Sequence, residues 1–327
     1  MEEILREVQT LHYLFQPEGA LFATPRNKDY LASSAALERA WREGVILEAP
    51  ALLCDAQMRL HVDLGCMRGY IEREEALWCR DGEQIKDIAV LTRVGKSVCF
   101  KVIGFSTENG ERVARLSRKA AQAECAAYLF THLRAGDILP AKVTHLEPYG
   151  AFLDIGCGIS SLLSIDCISV SRISHPKDRL TPGMNIFIAV KSIDKTLKRV
   201  FATHKELLGT WEQNAARFRA GETVTGRVRS IESYGVFVEL APNLAGLAEL
   251  RNGSAPVQTA VGDLAAVFIK SILPERMKVK LVIIDSYPSS LPPAPPEYFI
   301  DPTTTAHLDY WEYSPTHCGK LIETIFE

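Results

Sequence analysis

The sequence predicts a mainly β protein: three tandem small closed barrels joined by short helices, behind a helical N-terminal extension. The first observation is an internal repeat. The stretch G-D-I-L-P-A-K-V-T-H-L-E-P-Y-G-A-F-L-D-I from Gly136 aligns without a gap on G-E-T-V-T-G-R-V-R-S-I-E-S-Y-G-V-F-V-E-L from Gly221, at an offset of 85 and with six identities. Repeats set the architecture before any single element does. The second observation is alternation. Within both copies, β-branched and apolar residues alternate with polar ones between turn residues, which is the period of strands. The third is a divergent copy upstream. Val62-Asp63-Leu64-Gly65 matches Leu153-Asp154-Ile155-Gly156, and Val94-Gly95-Lys96-Ser97-Val98 parallels Pro182–Ile186 and Val261–Ala265. Short strands at close spacing, with no long helix inside a copy, close most simply into a small barrel.

Read in order, residues 1–43 form the extension. They carry a helix over Ala35 to Glu43, capped by Ser33 or Ser34 and closed near Gly44. Residues 44–119 hold the divergent module, 120–135 a helical linker, 136–205 the second module, 206–220 another helical linker and 221–285 the third module. Alanine-rich Lys119 to Arg134 and the Lys205 to Arg219 stretch read as helices that serve as stiff spacers. Residues 286–327 form a Pro-rich acidic tail. Pro288 to Pro296 holds five prolines and is expected to be extended and polyproline-like. From Ser286 onward one Lys stands against six Asp/Glu.

Hydrophobic residues make up 47% and charged residues 24%, an ordinary globular composition. The net charge of −3 argues against a strong overall polyanion binder. Locally the second module is the most basic: residues 136–205 hold nine Lys/Arg against six Asp/Glu, whereas 221–285 hold seven of each. The eight cysteines have no C-x-x-C spacing, so free, mostly buried thiols in a reducing cytosol are expected, with no metal and no other cofactor. No apolar run approaches the roughly 20 residues of a membrane helix. The start, Met1-Glu2-Glu3, is acidic where a secretory signal is basic. The reading is therefore a cytoplasmic protein with no membrane partner.

The Y-G-A-F segment is the informative one. Alternation puts Ala151, Leu153 and Ile155 in one interior, Val236, Val238 and Leu240 in another, and Leu60, Val62 and Leu64 in the first. Phe152 and Phe237 then face outward beside Asp154 and Glu239. Tyr149 and Tyr234, three residues earlier, reach the same face if Gly150 and Gly235 host bulges that reset the parity. Two rings on an open β-surface with cations nearby make a base-stacking platform. Lys142 and Arg199 are the nearby cations expected in the second module. The alternative for each ring is packing under a loop or against a neighbouring module.

At this point the chain resembles a known family. The pattern G-x-x-V-x-G-x-V-x-x-I-x-x-Y-G-V-F-V-E-L from Gly221 is similar to the S1 RNA-binding domain. The resemblance is specific in the second and third modules and weaker in the first. It implies five-stranded OB-fold barrels binding single-stranded RNA, mRNA or rRNA, with the ribosome as a further partner and no enzymatic activity. Carried over by position, the implied RNA-binding residues are Tyr149, Phe152, Ser164, Asp194 and Arg199, then Tyr234 and Phe237; Lys142, Arg227 and Arg229 are expected to bind RNA beside them. Ser164 and Glu249 stand where the family often has a His on the third strand. In the first module Met58-Arg59-Leu60-His61 replaces Tyr-Gly-x-Phe, and its D-L-G-C-M-R-G-Y-I resembles the docking domains that lead bacterial ribosomal protein S1.

Catalytic patterns are weak. His61, His145, His175 and His204 lack a nucleophile or carboxylate at motif spacing and read as surface or loop residues. Gly104 to Gly110 lacks the Lys-Ser/Thr ending of a phosphate loop. The competing readings are a protein-interaction adaptor associated with the ribosome or RNA polymerase, and an RNA-targeting subunit of a nuclease complex.

Overall fold

The computed structural model describes residues 14–79, 84–249, 259–289 and 292–327. Residues 1–13 of the extension and 290–291 of the Pro-rich stretch lie outside the described residues. The chain forms three closed five-stranded barrels of one topology. The first holds β1 (Ile46–Cys54), β2 (Leu60–Asp63), β3 (Arg68–Ile71), β4 (Ser97–Glu108) and β5 (Glu111–Ser117). The second holds β6 (Ile138–Glu147), β7 (Gly150–Asp154), β8 (Ser160–Ser164), β9 (Asn185–Asp194) and β10 (Arg199–Thr203). The third holds β11 (Thr223–Glu232), β12 (Gly235–Ala241), β13 (Leu244–Glu249), β14 (Leu264–Leu273) and β15 (Lys278–Tyr287). In each, the third strand pairs in parallel with the fifth, and the first pairs with the fourth, which leaves no free edge.

The interiors follow the alternation. Leu60, Val62, Leu64, Ala151, Leu153, Ile155, Val236 and Val238 are all buried. Leu240 is the exception. A register shift between Glu239 and Ala241 takes it out of step, so Ala241 turns inward and Leu240 is only half-buried.

Among the described residues, two helices precede the first barrel, α1 (Pro25–Leu31) and α2 (Ser34–Glu43). The Ser33 hydroxyl accepts from the Ala36 N–H, and Gly44 closes α2 in the left-handed region. α3 (Asp87–Leu91) lies within the first barrel's fourth-strand approach, and α4 (Arg118–His132) leads to the second barrel. The expected helix over Lys205 to Arg219 does not form as one piece. A 3₁₀ turn over Lys205–Leu208 ends at Gly209 (φ +83°), and α5 covers only Trp211–Ala215.

The extension is not a separate arm. Residues 15–22 thread between the first two barrels, held by buried carboxylates. The Glu18 carboxylate accepts from Arg118 Nε (2.6 Å) and Nη2 (2.9 Å) and from the Cys99 N–H (3.1 Å). The Glu18 N–H donates to Asp154 Oδ2 at 2.7 Å. Glu48 accepts the N–H groups of Gly19, Leu21 and Phe22. Gly158 is required here: at φ +78°, a Cβ would lie 2.1 Å from Arg118 Nη2. Burial opposes the charge on Glu18, but Arg118 overcomes it and holds the carboxyl below its ordinary range. Removing one partner of such a buried pair costs about 3–5 kcal/mol.

The tail also folds back. Tyr298 accepts the Phe187 N–H at 2.8 Å, and Ile138 N–H donates to the Ala306 carbonyl. A final hairpin, β16 (Tyr310–Glu312) with β17 (Glu323–Ile325), places Trp311 and Tyr313 in the third barrel's core. The second and third barrels are joined by Asn243, whose side chain accepts from Val170 N–H and donates to the carbonyls of Lys205 and Gly209. Cys99, Cys125, Cys157 and Cys167 are buried free thiols, and the other four cysteines are partly exposed. His204, read as a surface or loop residue, is buried, and burial pushes it down to about 4. Among the described residues, no helix is long and apolar enough to cross a membrane.

Candidate nucleic-acid interface

The site is built on the first three strands of the second and third barrels. The β6–β7 connection is a two-residue turn, Pro148-Tyr149, and the β11–β12 connection is Ser233-Tyr234. Both tyrosines stand out from the surface, 56% and 59% exposed. Phe152 points outward between inward Ala151 and Leu153, and Phe237 between Val236 and Val238. Each tyrosine meets its phenylalanine edge-on, at 6.3 Å and 85° in the second barrel and 6.2 Å and 90° in the third. The rings share a face, as the sequence predicts.

The cause is not the expected bulge at Gly150 or Gly235. Tyr149 and Tyr234 are turn residues and need no strand parity. The glycines serve close approach instead: a Cβ on Gly150 would lie 2.4 Å from the Leu163 carbonyl, and one on Gly235 2.8 Å from that of Ala248. The bulge sits on the partner strand. Register shifts between Val143 and His145, and between Val228 and Ser230, leave Thr144 and Arg229 unpaired. The same shift falls between Ala51 and Leu53 in the first barrel.

That bulge turns His145 outward, opposite Phe152. Its ring stands 5.2 Å from the Phe152 ring at 78°, with Nε2 2.8 Å from Glu147 Oε1. His145 is exposed, as expected of a surface residue, but its place on the ring face is not among the expected site residues. The signal was available in K-V-T-H-L-E, where two consecutive polar residues break the alternation. Beyond Phe152 the same outward row continues through its pairing partner Leu162 and then Phe201. In the third barrel the corresponding row is Ser230, Phe237, Leu247 and Lys280.

The expected polar residues divide. Arg199 is exposed at the start of β10, opposite Asp194, whose Oδ1 accepts the Leu197 N–H at 2.7 Å and fixes the turn. Ser164 pairs with Gly150 at the edge of the ring face and is half-buried. Lys142 lies toward the other end of β6, and its Nζ donates to the Glu18 carbonyl at 3.0 Å. Arg227 donates to the Gly262 carbonyl at 2.9 Å. Arg229 holds Glu239 with two bonds, at 2.7 and 3.1 Å, while Arg179 of the second barrel joins the same carboxylate. Arg229 and Arg179 brace the third barrel against the second, and Arg227 is held within its own barrel. Asp154 and Glu239, expected on a polar outer face, are both buried: Asp154 accepts the Glu18, Gly156 and Gly158 N–H groups, and Glu239 is held by Arg229 and Arg179.

Among its described residues the first barrel presents no such platform. His61 occupies the outward position of Phe152 and is bound to Asp55 at 2.9 Å. Asp55 also accepts the N–H groups of Gln57 and Arg59, which fixes the longer loop before β2. Arg59 pairs with Glu72 and Glu108 and covers the Tyr70 ring at 5.0 Å.

Comparison with known proteins gives a family. The model of the S1 RNA binding domain matches residues 132–205. Across 245 residues, 71% of this chain, the sequence is 31% identical to the small ribosomal subunit protein bS1 of Staphylococcus haemolyticus, covering 60% of that protein. It is 28% identical over 237 residues to the protein of the same name from Leuconostoc lactis, covering 68% of this chain and 52% of that one. The chain thus spans about 60% or less of the length of these relatives. Among solved structures, a multidomain protein with nucleic acid binding domains from Streptococcus pneumoniae aligns over 74% of each chain, with a TM-score of 0.24 and 12% identity.

Proposed function

We propose that this chain, which belongs to the S1 RNA-binding domain family, binds single-stranded RNA on the outer faces of its second and third barrels and performs no chemistry on it. The observation that carries this is the pair of ring platforms, Tyr149 with Phe152 and Tyr234 with Phe237, built at the same place in two barrels. Exposed rings on a sheet stack bases at about 1–3 kcal/mol each and tolerate any base sequence. The setting is translation or RNA metabolism in the cytoplasm, with mRNA or rRNA as ligand and the ribosome as the assembly. The first barrel, with His61 tied to Asp55, takes no part in stacking. Its exposed Leu52 and Leu53 favour a protein contact there instead.

Fluorescence anisotropy of a labelled single-stranded RNA with the full chain tests the reading. Saturable binding at about 50–100 mM salt that weakens as salt rises is expected. Absence of binding in that range, or equal binding of duplex RNA, contradicts it.

A further inference from the structure

Resting on that reading, we propose that the base-binding surface of the second barrel runs across four strands, with His145 and Phe201 as base-contacting residues beyond Tyr149 and Phe152. The third barrel ends the same row in a phosphate contact at Lys280. The second barrel therefore holds RNA mainly through bases, and the third through fewer bases and one more phosphate.

The pairing register carries the argument. His145 on β6 is opposite Phe152 on β7, Phe152 is opposite Leu162 on β8, and Leu162 is opposite Phe201 on β10. Each faces outward. Leu162 lies between buried Ser161 and Leu163, and Phe201 between buried Val200 and Ala202. Strands lie about 4.8 Å apart, so the row spans about 14 Å, which exceeds the width of a single ring pair. Phe201 is a large apolar side chain turned away from its own core; the core cluster is built from Val200 and Ala202. Exposed Arg199, two residues earlier on the same strand face, supplies a cation beside it.

The third barrel has the same outward positions with different chemistry. Ser230 stands at the offset of His145, Leu247 follows Phe237, and Lys280 takes the place of Phe201 between buried Val279 and Leu281. Lys280 lies 3.7 Å from Glu249, with both side chains well exposed. Such a pair is worth little and leaves the ammonium available to a phosphate oxygen.

The test is anisotropy of a labelled oligouridylate with the full chain carrying Phe201→Ala, His145→Ser, Lys280→Ala or Tyr149→Ala/Phe152→Ala. Phe201→Ala is expected to weaken binding by about five-fold or more with an unchanged salt slope. His145→Ser should produce a smaller loss, and Lys280→Ala should flatten the salt slope by about 0.7. If the Tyr149/Phe152 variant loses binding while Phe201→Ala binds as the parent does, the four-strand row is overturned and RNA binding stands. If all the ring variants bind as the parent does, RNA binding on this face is itself wrong. Should Phe201→Ala lose its folded circular dichroism spectrum, Phe201→Leu and Phe201→Tyr decide. Stacking requires the tyrosine variant to bind normally and the leucine variant to bind more weakly; equal binding by both overturns the proposal.

Discussion

The first and second barrels have the same strand order, the same bulge in their first strand and the same inward pattern, yet their outer faces are opposites. In the second, β7 turns Phe152 outward beside exposed Tyr149, and the row runs on to Leu162 and Phe201. In the first, β2 turns His61 outward into a hydrogen bond with Asp55, and Arg59 closes over Tyr70 between two glutamates. Fold rests on the residues at one strand parity and ligand chemistry on those at the other. A repeat can therefore keep its barrel and lose its platform through a handful of outward changes.

The sharpest way to break this comparison is to strip the second barrel of its rings. Tyr149→Ala/Phe152→Ala is expected to lose about 2–6 kcal/mol of RNA binding if two bases stack independently. Thermal stability should hold, because Tyr149 is exposed and Phe152 lies outside the core. Anisotropy and circular dichroism melting measure the two. A variant that unfolds would make the rings packing residues.

How much of this was legible in the sequence follows from the range of the forces. Inward positions were readable because period-2 alternation is local: Ala151, Leu153, Val236 and Val238 needed no partner to be assigned. Leu240 was misplaced because a bulge at the end of β12 shifts parity without a glycine to mark it. His145 was not placed on the ring face because its outward turn depends on pairing with β7. Arg229 was read as a free cation because Glu239 reaches it only through the β11–β12 pairing, and Asp178 and Arg179 of another barrel come near only when the modules pack. Glu18 lies 100 residues from Arg118, and nothing in its neighbourhood signals a buried ion pair.

A second measurement asks whether the first two barrels behave as one unit. Burial, reinforced by Glu18, raises Glu48 from 4.5 to about 7 and Asp154 from 3.8 to about 6, against the backbone N–H donors that favour their charged forms. Both carboxyls therefore keep protons in the folded chain at a pH where the unfolded chain has released them. With more protons on the folded state, stability falls as pH rises. Their contribution is complete below the ordinary carboxylate range and is lost as pH climbs through about 6 to 7. Melting temperature should decline more steeply between about pH 5 and 8 in the parent than in Glu48→Gln. Parallel curves would remove this junction from the pH dependence.

The smallest expected effect separates two cations that the sequence treats alike. Arg199 is exposed at the start of β10, on the face that carries Phe201. Lys142 is spent on the extension: its Nζ donates to the Glu18 carbonyl, and a Cβ on Gly19 would fall 2.9 Å from it. A cation already held by a carbonyl must give up that bond to reach a phosphate, whereas an exposed guanidinium gives up only water. Arg199→Ala should therefore flatten the log–log salt dependence of RNA binding by about 0.7, the release expected for one phosphate on a single strand. Lys142→Ala should leave the slope unchanged and instead lower the melting temperature slightly, through the lost contact with the extension. Anisotropy titrations at four or more salt concentrations resolve the difference. If Lys142→Ala alone changed the slope, the RNA path would run along β6 toward the first barrel, and the contrast between the two barrels would have to be redrawn around their junction.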